Sequence, residues 1–231
     1  MARELIKIND VTYRVEDEYV RSYILIGADK VAVIDTGILG PGVKDIATGL
    51  SDKEIILINT HGDRDHVSGN GDFDKYYIAE ADYINCHLGE AYPESTPVFV
   101  EDGQVIELGG RTLEIITIPG HTKGSVAILD KENRTLIAGD TVQAGHVFMF
   151  GAHRDITVYK DSLNKLIARK DDYDRIYASH AEYELDSDYA SKVLYSFNQY
   201  ENGELTPEKV DLHGQTVNSY TGKYCGFFIA D

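Results

Sequence analysis

The sequence predicts a layered α/β fold in which β-sheets lie buried between helices. Short segments rich in β-branched and aromatic residues recur in both halves of the chain, and segments with helical hydrophobic spacing separate them. The 231 residues, 42% hydrophobic and 26% charged, are enough to bury a full core. Linker signals are weak, so we expect one domain over residues 1–231, with a short helix-and-strand extension from about residue 185.

The first elements are predicted as antiparallel strands, followed by a helix and a buried strand. Val11–Val15 and Tyr19–Ile26 are rich in β-branched and aromatic residues, and a turn then leads to a short apolar strand at Val31–Ile34. The hydrophobic period changes to that of a helix over Pro41–Leu50, where the opening proline suits a first helical turn. Ile55–Ile58 is almost continuously apolar, which is typical of a strand covered on both faces.

The remaining elements alternate between short apolar strands bounded by glycine-rich or polar turns and segments with one apolar helical face. Strands are predicted at Tyr76–Ile78, Val105–Leu108, Leu113–Ile118, Ser125–Leu129, Thr135–Ala138 and Arg175–Ala178, and strand character returns after Gly203, ending with Tyr224–Ala230. Helices are predicted at Glu80–Leu88, Tyr159–Ala168 and Asp186–Gln199.

The charge balance and the apolar runs exclude several classes of protein. The 22 Lys and Arg residues against 39 Asp and Glu residues give a net charge of −17, which argues against a nucleic-acid partner. No apolar run is long enough to cross a membrane, and the charged start resembles no signal peptide, so we expect a cytoplasmic protein without a membrane partner. Cys86 and Cys225 are far apart and are expected to be free thiols.

The loop after the Ile55–Ile58 strand concentrates groups that bind metals. His61, Asp63, Asp65 and His66 fall within six residues. Alternate residues of an extended segment point the same way, so the first three can converge, and His66 can turn back from the next element. Loops at the carboxyl ends of buried strands commonly bind ligands in α/β folds. This loop therefore predicts a cation site.

Three later segments repeat the order of a strand followed by a histidine or an aspartate. Each of these residues alone would be an ordinary loop residue, but the four segments together are a strong signal for a metal centre. The later residues are His121 in P-G-H-T-K-G-S, Asp140 in G-D-T and His180 in S-H.

The ordered motifs H-x-D-x-D-H, P-G-H-T-x-G-S, G-D-T and S-H make the chain similar to the metallo-β-lactamase superfamily of binuclear hydrolases. The resemblance runs from about Tyr23 to His180 and implies an αββα sandwich with metals at the sheet edges. Asp35, in V-I-D-T-G, resembles an early family aspartate that supports the metal loop. Carried over by motif, one metal would bind His61, the residue at position 63 and His121, and the other would bind Asp65, His66 and His180, with Asp140 bridging both.

Position 63 departs from the family pattern, which commonly has histidine there. A carboxylate ligand would shift the metal preference of the site from zinc toward manganese or iron, although imidazole ligands also suit zinc. Alternatively, Asp63 does not reach the metal, and the first site is weak or empty. The expected cofactors are two divalent ions of zinc, iron or manganese.

The resemblance implies hydrolysis of a small ester, thioester or lactone by a hydroxide that bridges two metals, with Asp65 orienting the nucleophile. Two alternatives remain open. A carboxylate at position 63 resembles the H-x-E-x-D-H motif of flavodiiron proteins, which would make the chain a diiron oxidoreductase. The other alternative is a metal- or ligand-binding protein without turnover.

The predicted partner is a small-molecule substrate. Within Gln143–Thr157, three side chains could meet a polar or anionic group of the substrate: His146, His153 and Arg154. The apolar residues at positions 148–150 could line a pocket or could pack in the core. Exposed strand edges after Gly203 could also pair two copies as a homodimer.

Overall fold

The computed structural model describes residues 3–212 and 214–230, and the strands in this part of the chain form three sheets. The first sheet has the spatial order β1 (Glu4–Asn9), β2 (Thr12–Asp17), β3 (Val20–Ile26), β4 (Lys30–Ile34), β5 (Glu54–Ile58), β6 (Lys75–Ile78) and β7 (Thr96–Phe99). The second sheet contains β8 (Val105–Glu107), β9 (Thr112–Thr117), β10 (Val126–Asp130), β11 (Thr135–Ile137), β13 (Arg175–Tyr177) and β14 (Glu184–Asp186). The third sheet contains β12 (His146–Phe148), β15 (Glu208–Leu212), β16 (Gln215–Thr221) and β17 (Gly226–Ile229).

The helices lie between these strands in the chain. They are α1 (Val43–Leu50), α2 (Arg64–Val67), α3 (Glu80–Asn85), α4 (Leu88–Ala91), α5 (Ile156–Ala168) and α6 (Tyr189–Glu201), with short 3-10 turns at Asn70–Asp72 and Lys170–Asp172. None of the helices in the described ranges has both the length and the apolar character needed to cross a membrane.

The first two sheets pack face to face because each contributes alternate apolar side chains to one shared core. Ile34 and Ile58 project from β4 and β5, and they belong to the same buried cluster as Ile115 and Ile128 of β9 and β10. The residues that flank Ile115 and Ile128 in the chain point to the opposite face of the second sheet, as the two-residue period of a strand requires. Both sheets are therefore covered on both faces.

Helices cover the two outer faces. Val43 and Ala47 of α1 pack against the outer side of the first sheet. Tyr159 and Leu163 of α5, with Phe197 of α6, pack against the outer side of the second sheet. The predicted four-layer αββα sandwich is confirmed.

The C-terminal part of the chain joins the same outer core. In the third sheet, β17 pairs in parallel with β12 and antiparallel with β16. Phe227 of β17 and Val147 of β12 lie in one buried cluster with Phe197. Cys225 is buried beside them, and both it and Cys86 are free thiols, as expected. The third sheet therefore brings the end of the chain next to the loop that follows β11.

Four strands were absent from the sequence-based assignment, and each lies at the edge of its sheet: β1, β7, β12 and β14. An edge strand has a neighbour on one side and is exposed on the other, so its hydrophobic pattern is weak. The burial of β1 shows this, since none of its residues is fully buried. No element was predicted at residues 146–148 for the same reason.

Backbone geometry corrects the predicted helix boundaries. Helix α1 begins at Val43 rather than Pro41 because Gly42, with φ 120°, precedes it. The single helix predicted over Glu80–Leu88 is interrupted at His87, whose φ of 53° lies in the left-handed region. Helix α5 begins earlier than predicted, where the carboxylate of Asp155 accepts hydrogen bonds from two backbone N–H groups of the first turn.

Candidate metal centre

The predicted ligands lie where strands of both central sheets end. Strands β4 and β5 are parallel neighbours, so their carboxyl ends share one edge of the first sheet. Strands β9, β11 and β13 also run parallel to one another in the second sheet, because β9 and β11 both pair antiparallel with β10 and β11 pairs parallel with β13. The segments after these strand ends carry Asp35, His61, His121, Asp140 and His180.

Three of the predicted ligands form a first triad: His61, Asp63 and His121. The Oδ2 atom of Asp63 lies 3.3 Å from Nε2 of His121 and 3.6 Å from Nε2 of His61. The two Nε2 atoms are themselves 3.3 Å apart. Both histidines are almost completely buried, whereas the Asp63 side chain is 26% exposed.

A second triad comprises Asp65, His66 and His180. The Oδ2 atom of Asp65 lies 3.5 Å from Nε2 of His180 and 3.8 Å from Nε2 of His66. Asp65 and His66 lie on the short helix α2, which turns His66 back beneath the loop. Each triad therefore offers two imidazoles and one carboxylate.

Asp140 lies between the two triads. Its Oδ1 atom is 3.2 Å from Nε2 of both His66 and His180, and its Oδ2 atom is 3.5 Å from Nε2 of His121. One oxygen thus faces each triad. This is the arrangement that a carboxylate shared by two metal ions would need.

Asp35 orients one imidazole of each triad. Its Oδ2 atom accepts a hydrogen bond from Nδ1 of His66 at 2.8 Å. The same oxygen accepts the hydroxyl hydrogen of Thr60 at 2.6 Å, and that hydroxyl in turn lies 3.0 Å from Nδ1 of His61. Protonation at Nδ1 in both rings leaves the Nε2 lone pairs directed into the site.

Backbone carbonyls orient the other two imidazoles. Nδ1 of His121 donates to the carbonyl of Phe148 at 3.0 Å, and Nδ1 of His180 donates to the carbonyl of Tyr19 at 2.8 Å. Each of the four rings, when neutral, therefore presents Nε2 as an acceptor toward the same space.

The donor atoms fit divalent cations. When both rings are neutral and protonated at Nδ1, the Nε2 atoms of His61 and His121 face each other as two acceptors. Nε2 of His66 and Oδ1 of Asp140 are buried, and neither has a hydrogen-bond partner among the described residues. Buried acceptors without donors are costly, and a cation would satisfy them. Mixed imidazole and carboxylate donors suit zinc, iron or manganese.

The histidines of the site favour the ionised form of two of its carboxyl groups. Burial opposes ionisation of Asp140, but His180 and His66 outweigh it and hold the pKa of this carboxyl well below its usual range. Burial also opposes ionisation of Asp63, but the neighbouring imidazoles of His121 and His61 outweigh it and hold the pKa of this carboxyl well below the usual range. These carboxylates therefore remain charged and available to a cation.

The imidazoles of the two triads have different electrostatic surroundings. Burial lowers the pKa of His66, but the carboxylates of Asp140 and Asp65 outweigh it and raise that pKa well above its ordinary value. The pKa of His121 is instead lowered, first by burial and then by the positive charge of Arg154.

Asp82 supports the first triad and was missed by sequence reasoning. Its carboxylate accepts a hydrogen bond from the backbone N–H of Gly62 at 2.7 Å, next to His61. It also accepts the hydroxyl of Thr122 at 2.7 Å and the N–H of Gly124 at 2.6 Å, beside His121. Asp82 is completely buried on the short helix α3, and no motif around it signals this role.

Two glycines permit the close approach of the ligand loops. Gly120, immediately before His121, has φ 135°, and a Cβ atom there would lie 2.4 Å from the Cα of Tyr159. Gly139, immediately before Asp140, has φ 52°, and a Cβ atom there would lie 2.9 Å from the hydroxyl of Thr60. Side chains at these positions would displace both ligands.

A cavity of about 850 Å³ opens onto the two triads. Its wall contains the apolar side chains of Tyr19, Ile38, Phe148, Phe150 and Phe228. The cationic or polar part of the wall comes from Arg64, Gln143, His146 and Arg154. The third sheet thus supplies one side of the cavity, through β12 and β17.

The structure separates the three residues predicted to contact substrate. His146 and Arg154 line the cavity. His146 stacks on Phe228, with ring centroids 4.6 Å apart, and burial lowers its pKa. His153 is not among the described residues that line the cavity. At positions 148–150, both open interpretations apply, since the phenylalanines line the cavity and Met149 is buried in the core.

Arg154 also contacts the first triad. Its Nη2 atom donates to Oδ2 of Asp63, the same oxygen that faces both imidazoles. The sequence predicted Arg154 for substrate binding alone, because a contact between positions 91 residues apart leaves no local signal.

A family model described as the metallo-beta-lactamase superfamily matches residues 15–180. A hydroxyacylglutathione hydrolase from Synechococcus sp. (strain JA-2-3B'a(2-13)) is 31% identical over 56% of this chain and 50% of its own length. The human acyl-coenzyme A thioesterase MBLAC2 is 24% identical over 63% of this chain and 66% of its own length. The chain spans about half of the length of the hydroxyacylglutathione hydrolases that it matches.

Solved structures share the fold. A metallo-beta-lactamase from Pontibacter korlensis superposes with a TM-score of 0.72 at 19% identity, covering 85% of this chain and 99% of that protein. A metallo-beta-lactamase from Hirschia baltica superposes with a TM-score of 0.67 at 15% identity, covering 84% of this chain and 97% of that protein.

Proposed function

The chain belongs to the metallo-beta-lactamase superfamily, and we propose that it is a hydrolase that uses two divalent metal ions to cleave a small thioester or ester. The observation that carries this proposal is the position of Asp140, with one oxygen toward each of two triads of identical donor types. Two metal ions, when bound, would supply a water acidic enough to attack near neutral pH and a Lewis acid for the carbonyl.

The protein groups would divide the work between binding and proton handling. One ion would be held by His61, Asp63 and His121, and the other would be held by Asp65, His66 and His180. Asp140 would contribute to both sites. Asp65 is 21% exposed and faces the cavity, so its free oxygen can accept a hydrogen bond from the attacking nucleophile and orient it. Buried Asp35 and Asp82 would keep the rings and loops in place.

The cavity supports a substrate with an apolar acyl part and a polar or anionic remainder. Phe148, Phe150 and Phe228 provide an aromatic wall of the kind that binds an apolar group. His146 and exposed Arg64 lie on the same cavity in a chain that is otherwise strongly acidic. The two named relatives are a hydroxyacylglutathione hydrolase and an acyl-coenzyme A thioesterase, which favours thioesters over lactones.

The first test combines metal analysis with a substrate panel. Protein purified without added metal or chelator should contain two divalent ions per chain by elemental analysis and should hydrolyse thioesters that carry an apolar acyl group. Iron together with consumption of oxygen, and no hydrolysis across the panel, would replace this proposal with the diiron alternative. Bound metal without turnover of any kind would indicate a binding protein.

The variant Asp65→Asn tests the role of the orienting carboxylate. We expect kcat to fall about 10²–10⁴-fold, the usual range for losing a group that handles a proton, while the circular dichroism spectrum stays unchanged. Asp161→Asn, which alters an exposed aspartate of α5, is the matched control and should keep wild-type activity. Wild-type kcat in Asp65→Asn would refute the assignment.

A further inference from the structure

Asp63 differs from the other carboxylates of the centre because it forms an ion pair with an arginine. Nη2 of Arg154 donates to Asp63 Oδ2, the oxygen that also lies 3.3 Å from His121 Nε2 and 3.6 Å from His61 Nε2. The oxygen that would bind a metal in the first triad is therefore shared with a guanidinium. The Arg154 side chain is 13% exposed, so water screens this charge only in part.

The position of Arg154 is set by the ligand loops themselves. The backbone N–H of Asp155 donates to the carbonyl of Gly120 at 2.8 Å, which ties the loop before α5 to the residue preceding His121. Asp155 also caps α5, so the arginine stands at a rigid helix start. Nε of Arg154 is buried and has no hydrogen-bond partner in the described part of the chain. The backbone beside Arg154 is therefore fixed next to the ligand loop, and the guanidinium reaches Asp63 from there.

Among the described residues, no lysine or arginine forms an ion pair with the carboxylate of the second triad. Its carboxylate, Asp65, lies 3.8 Å from Nε2 of His66 and 3.5 Å from Nε2 of His180, and both of these neighbours are candidate ligands. The donor atoms of the two triads are otherwise alike, with two Nε2 atoms and one carboxylate oxygen each, and Asp140 serves both. Arg154 is thus a cation in direct contact with the carboxylate of one of two sites with matched donors.

We propose that Arg154 and Asp63 act as one neutral unit that makes the first triad bind a divalent ion more weakly than the second. A carboxylate paired with a guanidinium carries no net charge, like the neutral imidazole common at this position in the family. Arg154 competes for the ligand oxygen and repels an incoming dication, so the second triad fills first. This inference rests on the proposed two-metal centre.

The test is titration of metal-free protein with zinc chloride in isothermal calorimetry, with a competing chelator to bring both constants into range. Wild type should bind two zinc ions with unequal affinity. Arg154→Gln, which removes the charge, should tighten the weaker constant about tenfold or more, the order expected when one unit charge near a dication is removed at partly screened short range. The tighter constant should change far less.

Two further variants separate charge from packing. Arg154→Lys keeps the positive charge and should leave the weaker constant close to that of wild type. Arg134→Gln removes the same charge from an exposed ion pair with Asp174, remote from the cavity lining, and should change neither constant.

The outcomes distinguish this inference from the proposed function. If wild type binds two zinc ions and Arg154→Gln leaves the weaker constant unchanged or weakens it, Arg154 only positions Asp63 and the inference is overturned while the two-metal centre stands. If wild type binds fewer than two zinc ions at saturation, the two-metal proposal itself fails. Tightening in both Arg154→Gln and Arg154→Lys would overturn the charge argument as well.

Discussion

The two triads of this protein have the same donor atoms in different surroundings. The first triad comprises His61, Asp63 and His121, and the second comprises Asp65, His66 and His180. Asp140 lies between the triads, with a separate oxygen toward each. In the first triad, Arg154 forms an ion pair with the carboxylate of Asp63, and Asp82 accepts hydrogen bonds from the two loops that carry the histidines. The carboxylate of the second triad has imidazoles as its neighbours in the described part of the chain.

The pKa values of the imidazoles also differ between the two triads. In the second triad, burial lowers the pKa of both His66 and His180, but nearby carboxylates outweigh it, and both pKa values are raised. In the first triad, burial and then Arg154 lower the pKa of His121. Two triads with identical donor types are thus expected to differ in metal affinity because of groups outside the triads.

Asp140→Ala should have the largest effect, since it removes the residue common to both triads. We expect loss of both metals by elemental analysis and a fall in melting temperature of about 10–20 °C. That fall corresponds to about 2.7 kcal/mol for each metal held at a hundredfold excess over its dissociation constant, at roughly 2–4 °C per kcal/mol.

Metal removal provides the control for Asp140→Ala. After exhaustive chelation, the melting temperature of wild type should fall to that of the variant, because the difference comes from bound metal rather than from packing. A variant that retains one tightly bound ion would show that Asp140 belongs to one triad and does not bridge.

His121→Ala and His180→Ala form a matched pair that tests the asymmetry directly. Each should lose one metal and keep the other. The ion that remains in His121→Ala should bind with the tighter of the two wild-type constants, and the ion in His180→Ala with the weaker, a difference of about tenfold or more for one nearby unit charge. Equal residual constants in calorimetry would contradict the difference between the triads.

The local part of this centre could be predicted from the sequence because its signals are contiguous. His61, Asp63, Asp65 and His66 lie in one loop after a clearly apolar strand, and the later ligands also follow strand ends. Since those strands end at shared sheet edges, the order of strand and then ligand was enough to predict convergence. The structure brings all seven predicted ligands together, although their binding of metal stays a prediction.

The parts that sequence reasoning missed depend on long-range contacts. Asp82 lies in an ordinary short helix, and its hydrogen bonds to the loops at Gly62 and Gly124 arise only when the two sheets pack. Arg154 is 91 residues from Asp63 in the chain. Neither side chain carries a local pattern, because its function is defined by a partner from another layer of the sandwich.

Asp63→His should have the smallest effect on metal binding of these variants, and it tests most directly whether Asp63 belongs to the ligand set. Histidine restores the residue common in the family and should raise the affinity of the first triad for zinc relative to manganese, since imidazole suits zinc and carboxylate oxygen suits manganese. In the single variant Arg154 loses its carboxylate partner while its charge remains, so we expect a gain in the zinc-to-manganese ratio but little gain in absolute zinc affinity.

Adding Arg154→Gln to Asp63→His should release that remaining repulsion. The double variant should bind the weaker zinc ion about tenfold or more tightly than Asp63→His alone, by the same charge argument, while its preference for zinc over manganese stays that of the single variant. Competition titrations with the two metals measure both quantities. An unchanged metal preference in both variants would mean that Asp63 lies outside the ligand set, and the first triad would then differ from the second in its donors as well as in its surroundings.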